Sequence, residues 1–293
     1  MIKRIAQVLS MVKFSHSIFA LPFALQATWL AAGGLPDLRN LILILVAAVA
    51  ARTAAMAFNR YADRDIDGDN PRTANREIPS GVLSASFVLM VVIISSSLFV
   101  AAAWLLNPLA GRWAFPVLAV LLGYSLVKRF SFLAHMVLGL ALALAPMAAW
   151  IAIRGHMQGV LHPIGWLALA VWTWVAGFDV IYSCQDAEYD REHGLHSIPA
   201  RFGVPRALLI SRCLHVCTVL CLVVFTWGAN LHWIYGIAVG LSACLLAWEQ
   251  SLVKADDLSR VNLAFFTING WIGVTLFVGL LLDMYLVSGG VGI

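Results

Sequence analysis

The sequence predicts an all-α, polytopic membrane protein, and three observations support that prediction. Hydrophobic residues make up 61% of the 293 residues, and mean hydropathy is +0.88. Only 12% of the residues are charged, whereas a soluble domain carries roughly 25%. The apolar residues fall in runs close to the roughly 20 residues that a helix needs to cross a bilayer. Because no Ser/Gly-rich or low-complexity linker separates these runs, we expect one membrane domain over residues 1–293.

The apolar runs predict nine transmembrane helices. In chain order they cover residues 15–33, 41–60, 86–106, 113–127, 132–153, 163–184, 207–227, 230–249 and 262–287. The first run follows a short basic segment without a small-residue cleavage site, so we interpret it as a retained span rather than a signal peptide. Pro22, Pro116 and Pro146 lie within predicted spans and are expected to kink them, because neighbouring helices can satisfy the freed carbonyl groups.

The basic residues predict how the chain is oriented. If the N-terminus is cytoplasmic, most of the 19 Lys and Arg residues fall on the cytoplasmic side. The opposite side then keeps only Arg39, Arg112 and Arg154. Cytoplasmic loops of membrane proteins carry an excess of positive residues. We therefore expect the N-terminus and the charge-rich loops in the cytoplasm and the C-terminus outside.

Acidic residues are concentrated in two short segments, which we call the first and second motifs. The first contains Asn59-x3-Asp63-x3-Asp67, and the second repeats the spacing as Tyr182-x3-Asp186-x3-Asp190. Each motif closes a predicted span, the second and the sixth. We therefore predict two similar four-helix halves and a ninth helix, arranged around a central cavity that opens to the cytoplasm.

The spacing of these residues predicts a metal–phosphate site. Side chains four residues apart lie on one face of a helix, so each motif would present a pair of carboxylates. Such oxygen ligands suit Mg²⁺, which is usually held by one or two carboxylates together with substrate phosphates. Arg72 and Arg76 could add fixed donors to the same phosphate oxygens. The residues alone therefore predict a magnesium-dependent diphosphate site that opens into an apolar bundle.

Two further cations are candidates for this site. Arg52 lies about two helical turns before Asn59, where a charged side chain costs at least about 2.5 kcal/mol. It needs an anionic partner, which would be either a substrate or Asp179, the residue in the same relation to Asp186. Lys128 follows the fourth span and could contact phosphate, or it could be one of the positive residues that end cytoplasmic spans.

With these motifs in place, the chain resembles the UbiA superfamily of intramembrane aromatic prenyltransferases. The resemblance covers nearly the whole chain and rests on NRYADRDIDGDNPRTANREIPSG, from Asn59 to Gly81, and on DVIYSCQDAEYD, from Asp179 to Asp190. The first family motif reads N-D-x-x-D-x-x-x-D. Here Arg60 stands where many members have Asp, which removes one acidic group beside the metal site.

The resemblance implies transfer of a polyprenyl group from a polyprenyl diphosphate to an aromatic acid, in a bacterial inner membrane. The implied ligands of two Mg²⁺ ions are Asp63, Asp67, Asp186 and Asp190. The implied contacts to the diphosphate, or to the carboxylates that hold it, are Asn59, Arg52, Arg72, Arg76 and Lys128. Asp179 and Tyr182 would lie near the reacting carbon, with Asp179 a further catalytic residue. Nothing in the sequence indicates a nucleic-acid or protein partner.

The acceptor stays open at this point. The segments VKFSHSIFALPFAL and GFDVIYSCQDAEYDREHGLHSIPARFG resemble the bacterial branch of 4-hydroxybenzoate polyprenyltransferases, which serves ubiquinone synthesis. Some members of that branch prenylate 1,4-dihydroxy-6-naphthoate in futalosine-type menaquinone synthesis. Both acceptors are hydroxylated aromatic acids, and we favour the 4-hydroxybenzoate type.

Other classes of protein were weighed against this interpretation. A transporter would carry polar groups near the bilayer midplane, whereas the acids here lie at the ends of predicted spans. The D-x-x-D-G-x-x-A-R pattern of CDP-alcohol transferases is not met, since Arg64 occupies the place of the first aspartate. Within the superfamily, a haem farnesyltransferase, a chlorophyll-type synthase or a lipid-ether synthase stays open.

Overall fold

The computed structural model describes residues 7, 8, 10, 11 and 19–287, and these residues form an all-helical bundle. Within them, β-type pairing is limited to one isolated bridge between Lys254 and Asp257. Seven of the described helices are long and apolar enough to cross a membrane. The all-α membrane class is therefore confirmed, whereas the expected count of nine spans is not.

Six helices form the N-terminal half. They are α1 (Leu21–Ala32), α2 (Leu38–Ala62), α3 (Arg64–Asp69), α4 (Ala85–Leu106), α5 (Pro108–Val127) and α6 (Ala134–Arg154). The C-terminal half contains α7 (Ile164–Ser183), a 3₁₀ turn (Cys184–Asp186), α8 (Ala187–Glu192), α9 (Ile198–Phe202), α10 (Val204–Gly228) and α11 (Trp233–Leu252). The last helix consists of a π-helical segment (Leu263–Ile268), α12 (Asn269–Leu282) and a second π-helical segment (Asp283–Val287).

Two predicted spans are not among the seven. Helix α1 has 12 described residues, and residues 15–18 of the predicted first span lie outside the described part of the chain. Pro22 lies in the first turn of α1 rather than in a helix interior, where a kink was expected. Helix α11 is long enough to span, but Glu249 and Gln250 lower its mean hydropathy.

The fourth span is longer than the predicted 113–127, because local residues start the helix early. The Asn107 side chain accepts a hydrogen bond from the Ala110 amide at 2.8 Å. Pro108 follows as the first helical residue, where its missing N–H leaves no bond unmade. Helix α5 therefore spans 20 residues, enough to cross a bilayer.

Helix α7, which leads into the second motif, is the most buried of the membrane helices and packs against α6 and α10. Glycines let its neighbours approach closely. A Cβ atom on Gly139 of α6 would lie 2.5 Å from the carbonyl oxygen of Trp172, and one on Gly177 would lie 2.4 Å from the His215 ring. A larger residue at either position would push α7 away from a neighbouring helix.

The loops that carry both motifs meet at one end of the bundle, which we call the motif end. The Arg129 guanidinium donates to the Ala62 carbonyl at 2.6 Å. The Tyr189 hydroxyl donates to the Ile66 carbonyl at 3.1 Å, which joins the two motifs directly. In both motifs a long helix is followed by a six-residue helix, α3 and α8. The arrangement as two repeated halves stays a prediction.

Candidate active site

The first motif lies where α2 passes into α3. Asp63 is the junction residue, yet the helical hydrogen bonds continue through it, from the Asp63 amide to Asn59 at 2.9 Å and from the Asp67 amide to Asp63 at 2.7 Å. The three side chains therefore share one face, as their spacing predicts. The carboxylates of Asp63 and Asp67 belong to residues only 1% and 3% exposed, so each needs a partner.

Asp63 has three polar partners. Asn59 donates to its carboxylate at 3.1 Å, and the Lys128 ammonium lies 2.7 Å from the same oxygen. The Arg129 guanidinium lies 3.5 Å from the other oxygen. Lys128 thus lies against the first motif, which favours a site role over that of a residue that only ends a span. Arg129 was not among the predicted site residues, because the sequence offers no way to separate it from other span-ending cations.

Asp67 is paired with Arg76 of the loop that follows α3. One guanidinium nitrogen of Arg76 lies 2.6 and 2.8 Å from the two carboxylate oxygens. The Thr73 hydroxyl donates to the Asp67 carbonyl at 3.0 Å and fixes the loop against α3. The cation that pairs with Asp67 therefore comes from the same stretch of the chain, nine residues further on.

Arg72 connects the first motif to the second. Its guanidinium forms a two-pronged contact with Asp186, with one nitrogen 2.7 Å from the carboxylate, and donates to the Tyr182 hydroxyl at 3.2 Å. Partial burial lowers the pKa of Arg72, but the hydrogen bond and the negative charge of Asp186 outweigh it and raise the pKa above its usual value. Arg72 therefore stays charged, and it holds the two motifs together.

Asp190 lies on α8, the short helix that follows the 3₁₀ turn. Its carboxylate is close enough to Ser197, Asp186 and Lys128 to interact with them. All four carboxylates that the sequence analysis assigned to metal binding therefore lie at the motif end.

Asp179 has a partner that the sequence analysis did not identify. Nδ1 of His135 lies 2.7 Å from one oxygen of the Asp179 carboxylate. Nε2 of the same ring accepts a hydrogen bond from the Ile198 amide at 3.3 Å. His135 is one of eight histidines, and its spacing in the chain gives no signal of this contact.

Arg52 lies on the wall of an apolar cavity of about 250 Å³ in the N-terminal half. Helices α1, α2, α4, α5 and α6 supply the lining, which on α2 extends from Ile44 to Met56, roughly 18 Å at 1.5 Å per residue. Tyr124 of α5 joins Arg52 on the wall. All of these lining residues belong to the N-terminal half, and the predicted central cavity between two halves stays a prediction.

Arg60, the residue that departs from the family pattern, is 7% exposed. Its charged neighbours are Arg76, Asp67 and Glu77. It therefore adds a buried positive charge beside Asp67.

The donor atoms at the motif end fit magnesium. Within residues 7, 8, 10, 11 and 19–287, no three acidic, His or Cys side chains converge into a ready-made metal site. Magnesium does not require one, since it keeps several waters and is bound by one or two carboxylates plus substrate phosphates. The carboxylate pairs of the two motifs match that requirement, and all their donors are oxygen atoms.

Comparison with known proteins agrees with the geometry. The model of the UbiA prenyltransferase family matches residues 20–272. The 4-hydroxybenzoate octaprenyltransferase of Shewanella woodyi is 28% identical over 263 residues, which cover 90% of this chain and 90% of the relative. The enzyme of the same name from Alkalilimnicola ehrlichii is 30% identical over 264 residues, covering 89% and 88%.

Solved structures show the same fold. A UbiA homologue from Aeropyrum pernix K1, in its apo form, superposes with a TM-score of 0.84 at 35% identity, covering 92% of this chain and 98% of that one. A UbiA homologue from Archaeoglobus fulgidus bound to DMAPP and Mg²⁺ superposes with a TM-score of 0.75 at 19% identity, covering 96% and 100%.

Proposed function

Because this chain belongs to the UbiA prenyltransferase family and is an aromatic prenyltransferase, we propose that it transfers a polyprenyl group from polyprenyl diphosphate to 4-hydroxybenzoate or a close analogue. The observation that carries the proposal is the Arg72–Asp186 contact, which brings the two acidic motifs together at one end of the bundle. The curated relatives named for octaprenyl transfer to 4-hydroxybenzoate support this acceptor. The product is a precursor of a respiratory quinone.

The diphosphate would bind between the two motifs. When bound there, Mg²⁺ held by Asp63, Asp67, Asp186 and Asp190 would neutralise the diphosphate as it leaves. The cations now paired with these carboxylates can turn to the phosphate oxygens, and they are Arg72, Arg76, Lys128 and Arg129. Arg guanidinium groups bind phosphate with two parallel hydrogen bonds, which would fix the leaving group in position. Asn59, already bound to Asp63, would keep that carboxylate oriented.

The prenyl chain would enter the apolar cavity of the N-terminal half. Arg52 lies about two turns below Asn59, on the wall of this cavity. An apolar wall excludes water, which would otherwise capture the allylic cation that forms when the carbon–oxygen bond breaks. The tail therefore needs no polar contact beyond its first carbons.

The acceptor would react on the side of Asp179 and Tyr182. Both lie on α7, one turn apart, and Tyr182 contacts Arg72. The electron pair of the breaking bond leaves with the diphosphate, and a ring carbon next to the acceptor hydroxyl forms the new carbon–carbon bond. Asp179 would accept the hydrogen bond, and then the proton, of that hydroxyl. The attacked ring carbon would then lose its hydrogen as H⁺ and the oxygen would regain a proton, which restores the aromatic phenol. No covalent intermediate with the protein is required.

The expected setting is a bacterial inner membrane with the motif end in the cytoplasm. The positive residues of the motif-end loops support this orientation. Accessibility of single cysteines introduced at the exposed Asp65 and at the exposed His156 would measure it from the two sides.

A direct assay tests the proposed activity. Membranes containing this protein are supplied with Mg²⁺, a long-chain polyprenyl diphosphate, 4-hydroxybenzoate and 1,4-dihydroxy-6-naphthoate, and products are read by mass spectrometry. We expect prenylated 4-hydroxybenzoate. A prenylated naphthoate instead would contradict the acceptor while keeping the reaction, and neither product in competent membranes would contradict the proposed function.

A further inference from the structure

The aspartates of the site differ in the charge of their partners. Asp63, Asp67 and Asp186 each face a Lys or Arg side chain within 2.8 Å. Asp179 instead faces His135, at 2.7 Å from Nδ1. Asp190 interacts with Ser197, so Asp179 is the site aspartate for which a histidine is the recorded partner. This points to a different task for Asp179 and to a role for the histidine that holds it.

We propose that His135 is a positioning residue for Asp179 in the transfer step, an inference that rests on the function proposed above. Nε2 of His135 accepts the Ile198 amide hydrogen, so this nitrogen carries no proton. The ring proton is therefore on Nδ1 and is donated to Asp179. If both ring nitrogens carried a proton, the Nε2–H group would point at the Ile198 N–H group, and their hydrogen bond would be lost.

A neutral donor orients a carboxylate without cancelling its charge. The Lys or Arg partners of Asp63, Asp67 and Asp186 neutralise them, which suits groups that exchange partners when a charged ligand binds. The partner of Asp179 is a histidine rather than a Lys or Arg, which leaves its carboxylate able to accept the proton of an acceptor hydroxyl. A free Asp179 side chain could swing toward Arg72, which contacts Tyr182 one turn above it. The contact with His135 holds the Asp179 carboxylate away from Arg72.

Three elements fix the arrangement. His135 is the second residue of α6 and is 5% exposed, so its ring has little room to rotate. Asp179 lies on α7, and its carboxylate is partly open, with 21% of the side chain exposed. Ile198 begins α9, which the Ser197 side chain caps by accepting from the Ala200 amide at 3.3 Å. The acceptor-facing oxygen is therefore held by packing from both halves of the chain.

Three substitutions at one position separate the two contacts of the ring. In His135→Asn, the amide nitrogen stands near Nδ1 and can still donate to Asp179, but the contact to Ile198 is lost. In His135→Gln, the longer amide reaches toward Nε2 and can satisfy Ile198, but the donor to Asp179 is lost. His135→Phe loses both. The matched control is His156→Phe, because His156 is exposed and belongs to the loop after α6 at the opposite end.

We expect kcat to fall about 10–100-fold in His135→Phe and His135→Gln, with KM for the polyprenyl diphosphate unchanged, and we expect His135→Asn to recover most of the loss. Binding of farnesyl diphosphate with Mg²⁺, measured by calorimetry, should be the same in all variants. In Asp179→Asn, adding His135→Phe should cost no further activity, because the histidine acts through Asp179.

A different order of activity among the His135 variants would contradict the inference. If His135→Gln were more active than His135→Asn, the ring would serve only to anchor α9. If His135→Phe matched wild type, the ring would have no role in transfer. If the wild-type protein showed no prenyl transfer, the proposed function would be contradicted instead. Failure of the inference and failure of the proposed function are therefore distinguishable.

Discussion

At the scale of single residues, the site is close to neutral without a ligand. Asp63, Asp67 and Asp186 are paired with Lys128, Arg76 and Arg72. Burial of an unpaired carboxylate would cost several kcal/mol, so these pairs allow acidic side chains to sit beside an apolar bundle. In the proposed reaction, the same cations would turn to the diphosphate. The pairs would then serve folding when the site is empty and binding when it is filled.

Neutralising one motif aspartate should stop the reaction. We expect Asp63→Asn or Asp186→Asn to lower turnover by more than about 100-fold, because each removes the charge that holds a metal–phosphate contact. Prenyl transfer in purified vesicles measures this. The control is Asp65→Asn, since the Asp65 side chain is 83% exposed and pairs only loosely with Arg64 at 3.7 Å.

Near-normal turnover in either motif variant would contradict the two-motif site. Elution of each variant as a single species in detergent shows that the protein is still inserted and folded. A similar loss in Asp65→Asn would mean that the general charge of the loop, rather than the helix face of the motif, carries the activity.

At the scale of elements, the last membrane helix is tied to the site by a buried polar network. Asn269 donates to Glu249 at 2.9 Å and accepts from the Trp174 indole at 2.6 Å. Its amide also donates to the Ala264 carbonyl of the π-helical segment at 3.1 Å. In the next position of that segment, Phe265 packs against Tyr182 with ring centroids 4.3 Å apart. The network thus holds Phe265 against Tyr182 of the second motif.

The cavity between α2, α4, α5 and α6 should limit the length of the prenyl chain. Ala103 of α4 lines the cavity far from the motif end, whereas Ala101 on the same helix is exposed. We expect Ala103→Phe to lower the rate with a long polyprenyl diphosphate at least about 10-fold, because the ring fills space the tail needs. Activity with geranyl diphosphate should be retained.

Competition between the two donors, read by mass spectrometry, measures this preference. Ala101→Phe adds the same ring on the outer face and should leave the preference unchanged. An equal loss with both donors in Ala103→Phe would indicate damage to the fold, and an unchanged preference would place the tail elsewhere.

At the scale of the whole molecule, the site joins parts of the chain that lie far apart in sequence. Arg72 and Asp186 are 114 residues apart, Asp63 and Arg129 are 66 apart, and His135 and Asp179 are 44 apart. Under the proposed function, a metal ion or a diphosphate that bound alone would leave charges unpaired among these cations and carboxylates. Both ligands together would let each cation exchange a carboxylate for a phosphate.

Magnesium and prenyl diphosphate should therefore bind with positive coupling. We expect removal of Mg²⁺ by EDTA to weaken binding of a farnesyl thiodiphosphate at least about 10-fold, and the diphosphate to strengthen Mg²⁺ binding by the same factor. Calorimetry with each ligand alone and together measures this. Farnesol, which lacks the diphosphate, is the control and should bind equally with and without Mg²⁺. Independent binding of the two ligands, or prenyl transfer that survives thorough chelation, would contradict the shared site.

Local patterns were enough to predict the helical membrane class and the faces of the motifs. A run of apolar residues such as Ala85–Leu106 and a four-residue spacing such as Asn59, Asp63 and Asp67 express the periodicity of one helix, which depends on neighbours within a turn or two. Helix ends were harder to predict, because a single capping residue such as Asn107 can determine where a helix begins.

Only the tertiary structure determined which side chains contact each other. The pairing of His135 with Asp179, the place of Arg129 beside Asp63, and the position of the cavity in one half all depend on how helices far apart in sequence pack. The angles and separations of packed helices are set by many small contacts at once, and Gly139 and Gly177 show how one missing Cβ brings two helices together. Sequence periodicity gives the face of a helix, whereas packing gives its partner.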